Sequence, residues 1–553
     1  MEWWKQACIY QIYPKSFQDS NNDGIGDING IRKRLPYLKK LGAEILWLTP
    51  MYSSPQKDNG YDIANYYAID PLFGIMNDFD RLLEESHRLG IKIMMDIVVN
   101  HTSIEHAWFQ DILKNKEKSP YYEYYIIRSA KQGRSPNNWE SMFGGSAWEP
   151  LDEERYYLHL FDVTQADLNW ECEALRNEIY QMMHFWLKKG VDGFRLDVIN
   201  LISKQQDFLD DEESSPKGKC YYANGPRMHE FLKEMNEKVF SHYPCVSVGE
   251  MMSMDPEKAI DYTKPEHKEV NMIFSFQHLK VDYKDKDRWT RTTPDIKEMI
   301  TILDTWQREV NAGDGWNSLV WSNHDQPRVV SRFGNEEKYH KESAKMLATS
   351  MHMLKGTPYI YQGEEIGMLN AGFEDIDSYH DVETLNIYKE RIQKGIDEKT
   401  IMDGIMYQSR DNARTPMIWD ATEGYGFSKS MPWLGYGKHT EINVERNIND
   451  DDSIFHHYQK LIQLRKEEDI LANGEYRRID VGDDEVWGYI RTYQQERWLI
   501  LNNFKEEEKL CHIDLPEGTN IKEIIISNYR DSDCTLKDKV LRPYESIVYR
   551  LYS

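Results

Sequence analysis

A chain of 553 residues is too long for one compact unit and long enough to bury a large core, so two or three domains are expected. Its 93 acidic against 68 basic side chains leave a formal charge of −25, a field that repels nucleic acid and anionic membranes. A small anionic substrate stays open, because binding one phosphate needs only a local group of cations.

The opening run Met1-Glu2-Trp3-Trp4-Lys5-Gln6-Ala7-Cys8 has no basic stretch leading into an apolar one, and no window nears about 18 uninterrupted apolar residues. A cytoplasmic protein without a membrane span is expected. The cysteines at 8, 172, 220, 245, 511 and 534 lack metal-ligand spacing and read as reduced thiols. Asp19-Ser20-Asn21-Asn22-Asp23-Gly24-Ile25-Gly26-Asp27 places oxygen ligands at alternate positions with Gly at the sixth, as an EF-hand loop does, although the closing Glu is missing. The plain alternative is a solvated Asx-rich turn.

Beyond this loop an amphipathic helix repeatedly runs into a glycine and then a short apolar strand. Ile31, Leu35, Leu38 and Leu41 precede Gly42 and the strand Ile45 to Leu48; Phe79, Leu82 and Leu83 precede Gly90 and a strand from Ile91 to Val99. Ile179, Met182, Met183, Trp186 and Leu187 lead to Gly190 and a strand from Phe194 to Ile199. Met228, Phe231, Leu232, Met235 and Val239 lead to Val246-Ser247-Val248, and further strands are expected at Leu319 to Trp321 and Pro358 to Ile360. Alternating helices and buried strands demand a parallel sheet covered by helices, and this many units favour closure into a (β/α)8 TIM barrel. Residues 1–101 and 173–475 are assigned to the barrel, 102–172 to an irregular inserted domain after the third strand, and about 370–450 to a long decorated loop region. From about 476 to 553 the period changes to two, around Val486 to Ile490, Trp498 to Leu501, Ile524 to Ile526 and Ile547 to Leu551, which predicts a small antiparallel β-sandwich.

In a parallel barrel, chemistry collects where strands end, and three acids stand there. Asp197 follows Gly193-Phe194-Arg195-Leu196, Glu250 follows Val246-Ser247-Val248-Gly249, and Asp325 follows Trp321-Ser322-Asn323-His324. Carboxylates from separate strands aimed into one mouth supply what glycoside cleavage needs: one acid to protonate the leaving oxygen, one carboxylate to attack the sugar carbon. Each acid alone could equally cap a helix or pair with an arginine. Arg195 shares a barrel face with Asp197 by strand alternation, and its charge is expected to keep Asp197 ionised.

The runs Asp96-Ile97-Val98-Val99-Asn100-His101, Gly193 to Asn200, Val248-Gly249-Glu250-Met251 and Asn323-His324-Asp325-Gln326 together resemble the α-amylase superfamily of glycoside hydrolases, in its oligo-1,6-glucosidase-like branch, across essentially the whole chain. The resemblance implies a retaining mechanism with Asp197 as nucleophile, Glu250 as general acid/base and Asp325 as the residue that grips the sugar hydroxyls. It implies a glucosyl pocket lined by Tyr61, His101, Arg195 and His324, closed behind the terminal glucose by Asp58 and Arg414. It also implies no cofactor for the chemistry, and a structural Ca2+ in the acidic loop held by Asp19, Asn21, Asp23, Asp27 and the Ile25 carbonyl. A monomer or weak oligomer is expected. Family members that keep the barrel but lose the acids are non-enzymatic ectodomains; here all three acids are present.

Within the branch, Phe143 to Trp148, Gln165 to Trp170, Asn200 to Lys204, Gly225 to Glu230 and above all His278-Leu279-Lys280-Val281-Asp282-Tyr283 resemble trehalose-6-phosphate hydrolases more than oligo-1,6-glucosidases. Lys280 puts a cation near the expected leaving-group site, with Arg288, Lys284 and Lys286 in the same loop as further candidates, though the latter two also suit a solvated charge run. The implied substrate is a phosphorylated disaccharide, α,α-trehalose 6-phosphate, cleaved to glucose and glucose 6-phosphate. Isomaltose-type substrates would use the same acids.

Overall fold

The repeated helix, glycine and strand units close into a barrel. The computed structural model describes residues 2–515 and 519–552, so Met1 lies outside it. Its parallel strands are β1 (Ile9–Ile12), β2 (Ile45–Leu48), β3 (Lys92–Val98), β4 (Gly193–Asp197), β5 (Val246–Glu250), β6 (Met272–Phe274), β7 (Ser318–Val320) and β8 (Thr357–Tyr361). They lie in the order β6-β5-β4-β3-β2-β1-β8-β7, and a parallel bridge between Ile273 and Asn317 joins the two ends of the row.

Helices α1 (Ile28–Leu41), α2 (Met76–Arg88), α3 (Glu173–Lys189), α4 (Met228–Lys238), α5 (Ile296–Ala312) and α6 (His340–His352) clothe the outside. α1 shows how the sequence dictates them. The Asp27 carboxylate accepts from the Gly30 amide at its start, Ile31, Leu35, Leu38 and Leu41 form its buried stripe, and Gly42 ends it at φ 102°, a left-handed turn that a Cβ would strain. Strand alternation then sorts two cores. Ile9, Ile45, Trp47, Met94, Val248, Phe274 and Tyr359 form one inside the barrel, while their chain neighbours pack outward beneath the helices.

The strand expected to reach Ile199 stops at Asp197, because Val198 takes a left-handed conformation (φ 36°, ψ 40°) and turns the chain. Between β3 and β4 a small antiparallel sheet (Ile127–Ser129, Trp148–Pro150, Arg155–Leu158) packs on Trp139, Phe208 and Tyr222. The stretch expected to be loop from about 370 to 450 contains two sizeable helices, α7 (Val382–Gln393) and α8 (Glu398–Gln408). Only Thr384 of α7 is buried, so it carries no apolar stripe to give it away.

Beyond α9 (Ile454–Glu467), β9 (Glu475–Ile479), β10 (Val486–Tyr493), β11 (Glu496–Asn503), β12 (Asn520–Ser527) and β13 (Ser546–Tyr552) form an antiparallel sheet in the order β9-β10-β11-β13-β12. A ribbon of Lys509–Cys511 and Lys539–Leu541 shares one of its cores. From the other face Tyr489 bonds the Ser350 carbonyl, and Arg491 reaches the carbonyls of Met353, Ile470, Leu471 and Gly474. Arg465 of α9 takes the carbonyls of His352 and Leu354, so two buried guanidiniums close the C-terminal end of α6. All six cysteines are free thiols, and no helix among the described residues is long and apolar enough to cross a membrane.

Candidate active site

Arg195 is the hub of the barrel mouth. Its Nη1 lies 2.8 Å from Asp96 Oδ1 and 2.5 Å from Asp197 Oδ1, and its Nη2 lies 2.5 Å from Glu250 Oε2. Registry explains the meeting: Arg195 pairs across the sheet with Asp96 on one side and Val248 on the other, two residues before Glu250. The Val198 amide, presented by its left-handed turn, donates to Glu250 Oε2 at 3.2 Å. Tyr61 and Trp47 donate to Asp96 Oδ2 at 2.9 and 3.1 Å and complete the floor.

One guanidinium thus serves three carboxyls. Burial drives the Asp197 carboxyl well up from the usual range; Arg195 pulls against that, while Glu250 and Asp96 add repulsion. Arg195 does favour the ionised form of Asp197, as its charge requires, but it divides that charge among three carboxyls.

Asp325 is in the opposite situation. Burial alone would raise it, but the charges of Arg410, Arg414 and Arg195 outweigh burial and hold it well below the ordinary carboxylate range. Arg414 Nη2 and Arg410 Nη1 lie 2.8 and 3.3 Å from Asp325 Oδ1, and His324 Nε2 is 3.2 Å from Oδ2. Gln11 Nε2 meets His324 Nδ1 at 2.7 Å, and burial pushes this imidazole down to about 3, so it stands neutral.

Asp58, Tyr61, His101, Asp197, Glu250, Asp325 and Arg288 all line one cavity of about 230 Å³ at the C-terminal ends of the strands. Arg195 and His324 stand buried behind its wall. Burial pushes His101 down to about 4; its Nε2 lies 3.1 Å from the Tyr61 carbonyl. The pairing expected between Asp58 and Arg414 is not the one formed. Asp58 is met at 3.4 Å by Arg410 Nη2, and Arg414 sits deeper, on Asp325 and the His324 carbonyl. The short helix Asp411–Arg414 sets the two arginines one turn apart, and Arg410 is the one that lines the cavity. Burial raises Asp58 to about 7 despite Arg410 and Arg414.

Sequence reasoning missed several lining groups. Phe143, Phe161 and Gln165 come from the inserted region, and Glu383 comes from α7. Gln165 Nε2 donates to Asp58 Oδ2 at 3.1 Å. Phe143 and Gln165 lie inside runs already singled out for their resemblance, which was the available signal; Glu383 left none.

Among the cations expected near the leaving group, Arg288 is half-buried at the cavity, with Nη1 3.2 Å from both Glu383 carboxylate oxygens and Nη2 on the Gln408 carbonyl. Lys280 ends a short turn after β6 and is exposed as a residue, outside the immediate cavity wall. Crowding by surrounding protein, with repulsion from Lys219 and Arg288, lowers its ammonium from the ordinary lysine value. Lys219, in the loop that follows Asp197, carried no sequence signal. Among the described residues neither lysine pairs with a carboxylate.

The acidic loop is ordered by its own amides. Asp19 Oδ1 accepts from Asn21 and Asn22, Asp19 Oδ2 from Gly24 and Ser428, Asp23 Oδ1 from Ile25, and Asp27 from Gly30 and Ser20. The donor set is all oxygen and suits a hard cation. Among the described residues no group of three or more His, Cys, Asp or Glu converges as metal ligands.

Comparison with known proteins places this geometry. The family described as "Alpha amylase, catalytic domain" matches residues 11–474, and the family "Alpha-amylase SusG C-terminal domain" matches residues 486–548. A trehalose-6-phosphate hydrolase of Bacillus subtilis (strain 168) is 52% identical over 99% of this chain and 98% of its own. An oligo-1,6-glucosidase of Parageobacillus thermoglucosidasius is 50% identical over 99% of both chains. The crystal structure of Bacillus licheniformis trehalose-6-phosphate hydrolase superposes with a TM-score of 0.95 at 51% identity, covering 100% of both chains.

Proposed function

The chain belongs to the α-amylase family of glycoside hydrolases, and from that premise we propose that it is a retaining, exo-acting α-glucosidase whose substrate is α,α-trehalose 6-phosphate. The observation that carries the mechanism is the shared guanidinium of Arg195. Two carboxylate oxygens held by neighbouring nitrogens of one group, each at 2.5 Å, suit the roughly 5–5.5 Å carboxyl spacing of retention rather than the about 6.5–9.5 Å that an intervening water needs. Asp197 attacks the anomeric carbon as Glu250 protonates the departing oxygen, giving a glucosyl ester on Asp197. Water, deprotonated by Glu250, then cleaves that ester and releases glucose. The bond breaks only with a proton on Glu250 and Asp197 bared, the division of roles that acid and nucleophile demand. Asp325, held ionised by its arginines, accepts from the sugar hydroxyls. A cavity of about 230 Å³, below the roughly 300–1,000 Å³ typical of drug-sized ligands, suits one glucosyl unit, which supports exo action.

The phosphate reading is supported by Lys219 and Lys280, two cations without carboxylate partners beside the cavity's Arg288. A well-placed charge-assisted bond is worth about 1.5–3 kcal/mol, enough to discriminate a phosphorylated leaving group by one to two orders of magnitude. The second reading, an oligo-1,6-glucosidase, has one specific observation in its favour: Arg288 is already taken by Glu383, which leaves fewer free donors for phosphate. Comparing kcat/KM on trehalose 6-phosphate with that on isomaltose decides between them. A preference of at least about tenfold for the phosphorylated sugar is expected, and a preference for isomaltose overturns the reading. The six free thiols suit a reducing cytoplasm, and the acidic loop is proposed to hold Ca2+ as a structural ion with no part in the chemistry.

A further inference from the structure

Beneath the rim that carries Asp325, two adjacent carboxyls are sunk into the protein. Glu364 and Glu365 follow β8 and are 6% and 0% exposed. Among the described residues neither forms an ion pair, and every hydrogen bond they accept comes from a neutral donor. Glu364 accepts from Ser322 Oγ at 2.6 Å and the Tyr458 hydroxyl at 2.7 Å. Glu365 accepts from the hydroxyls of Tyr10 and Tyr37 at 2.7 and 2.6 Å and from the Gly363 amide at 2.8 Å. A carboxylate buried without a counter-charge is costly, so such a group tends to keep its proton. Burial pushes Glu364 up to about 7, with Glu365 adding repulsion.

Ser322 connects this pair to the chemistry, because it lies three residues before Asp325 at the end of β7. The same segment is pinned from the cavity side, where Arg414 Nε donates to the His324 carbonyl at 2.9 Å and Gln11 meets the His324 ring. From below, its side-chain pin is Ser322 on Glu364. We propose that Glu364 is a positioning residue for Asp325, fixing residues 322–325 through Ser322 and holding them most firmly while its carboxyl is ionised.

The groups facing it explain why charge matters. Tyr10 comes from β1, Tyr37 from α1 and Tyr458 from α9. The His352 ring of α6 lies 5.6 Å from that of Tyr458, and burial lowers His352 to about 3, so it brings no charge. Arg328 is the cation within electrostatic reach; its Nη1 and Nη2 donate to the carbonyls of Gln362 and Ala413, and its Nε is unpartnered. Burial and Glu365 oppose ionisation of Glu364, whereas the Ser322 and Tyr458 hydroxyls favour it, because a carboxylate accepts their hydrogen bonds more strongly than a neutral carboxyl does; ionisation therefore tightens its hold on Ser322.

This inference rests on Asp325 serving the reaction as proposed above. The test uses an aryl α-glucoside, p-nitrophenyl α-glucoside, so that it does not depend on phosphate recognition. Glu364→Gln is neutral at every pH. It is expected to raise the ratio of kcat at pH 6 to kcat at pH 8 by at least about threefold, with Tm at pH 6 within a few degrees of the parent. Ser322→Ala is expected to lower kcat at pH 6 by about tenfold, one hydrogen bond's effect, with KM little changed; Ser322→Thr, which keeps the hydroxyl, restores it. An unchanged pH ratio in Glu364→Gln, or activity in Ser322→Ala that falls only in step with Tm, overturns the proposal. If Glu364→Gln does not fold, the Ser322 pair decides alone. Asp325→Asn is the control: turnover that survives there sinks the catalytic reading itself, not this refinement of it.

Discussion

At the scale of single residues, the site is an exercise in sharing one positive charge. Because the proposed nucleophile Asp197 has no substitute, Asp197→Asn should cut kcat by at least about a thousandfold on any glucoside. Glu250→Gln should lose about 10²–10⁴-fold on a sugar leaving group and much less on p-nitrophenyl α-glucoside, whose leaving group needs little protonation. Equal losses on both substrates would remove Glu250 from the acid role. Lys219→Met and Lys280→Met should each raise KM for trehalose 6-phosphate by about tenfold or more while leaving the aryl glucoside untouched. A parallel loss on both would show a structural effect only. Asp58 makes a pH prediction. Its folded value of about 7 lies above the unfolded value of about 3.9, so its stabilising contribution is complete below about pH 4 and is lost as pH rises through 7. Tm of Asp58→Asn measured against the parent at pH 5 and pH 8 should therefore compare more favourably at pH 8. Asp197, Glu250 and Asp325 were legible because each ends an apolar strand inside a four-motif pattern. Arg410 was not told apart from Arg414, since nothing in the linear run says which of two arginines one helical turn apart faces the cavity.

Among the elements, those with both a stripe and a stop were readable. α1 has Asp27 at its start, four buried aliphatics and Gly42 at its end, and α3 ends likewise at Gly190. β1 and β6 escaped notice because each is three or four residues long and no helix-and-glycine unit leads into it. α7 escaped because Thr384 is its one buried residue, and α8 because its buried stripe of Ile401, Gly404, Ile405 and Gln408 holds only two aliphatics. Asp27 serves two elements, capping α1 and ordering the acidic loop through Ser20. Asp27→Ala should cost about 0.5–2 kcal/mol from the lost cap alone, read by urea unfolding in chelator. If the loop binds Ca2+, the ion adds to the parent's stability and not to that of Asp27→Ala; at a concentration about a hundred times Kd the gain is about 2.7 kcal/mol. No calcium-dependent change in the parent would dismiss the ion.

Across the whole molecule, the C-terminal sheet and the barrel share one core. Arg491 is buried and answers only to main-chain carbonyls of both parts, so Arg491→Met removes the guanidinium donor from the carbonyls of Met353, Ile470, Leu471, Gly474 and Glu475 and should lower stability by several kcal/mol, seen as a single earlier transition in calorimetry. A separate early transition of the C-terminal part would show instead that the two fold independently. The change from helical to two-residue periodicity made the extra sheet legible, but its docking was not, because contacts between distant segments leave no periodic trace. The cavity's shape bears on the order of events in turnover. On the proposed exo action, Asp58 and Arg410, 3.4 Å apart in the cavity wall, close the glucose site from behind, and the glucose released from Asp197 is the guest seated farthest from the entrance. The outer fragment has to depart before water or any competing alcohol can reach the ester. Free glucose should accordingly compete with substrate for the innermost seat, and a crowded solution of sugars should divert part of the flux into new glucosides instead of hydrolysis.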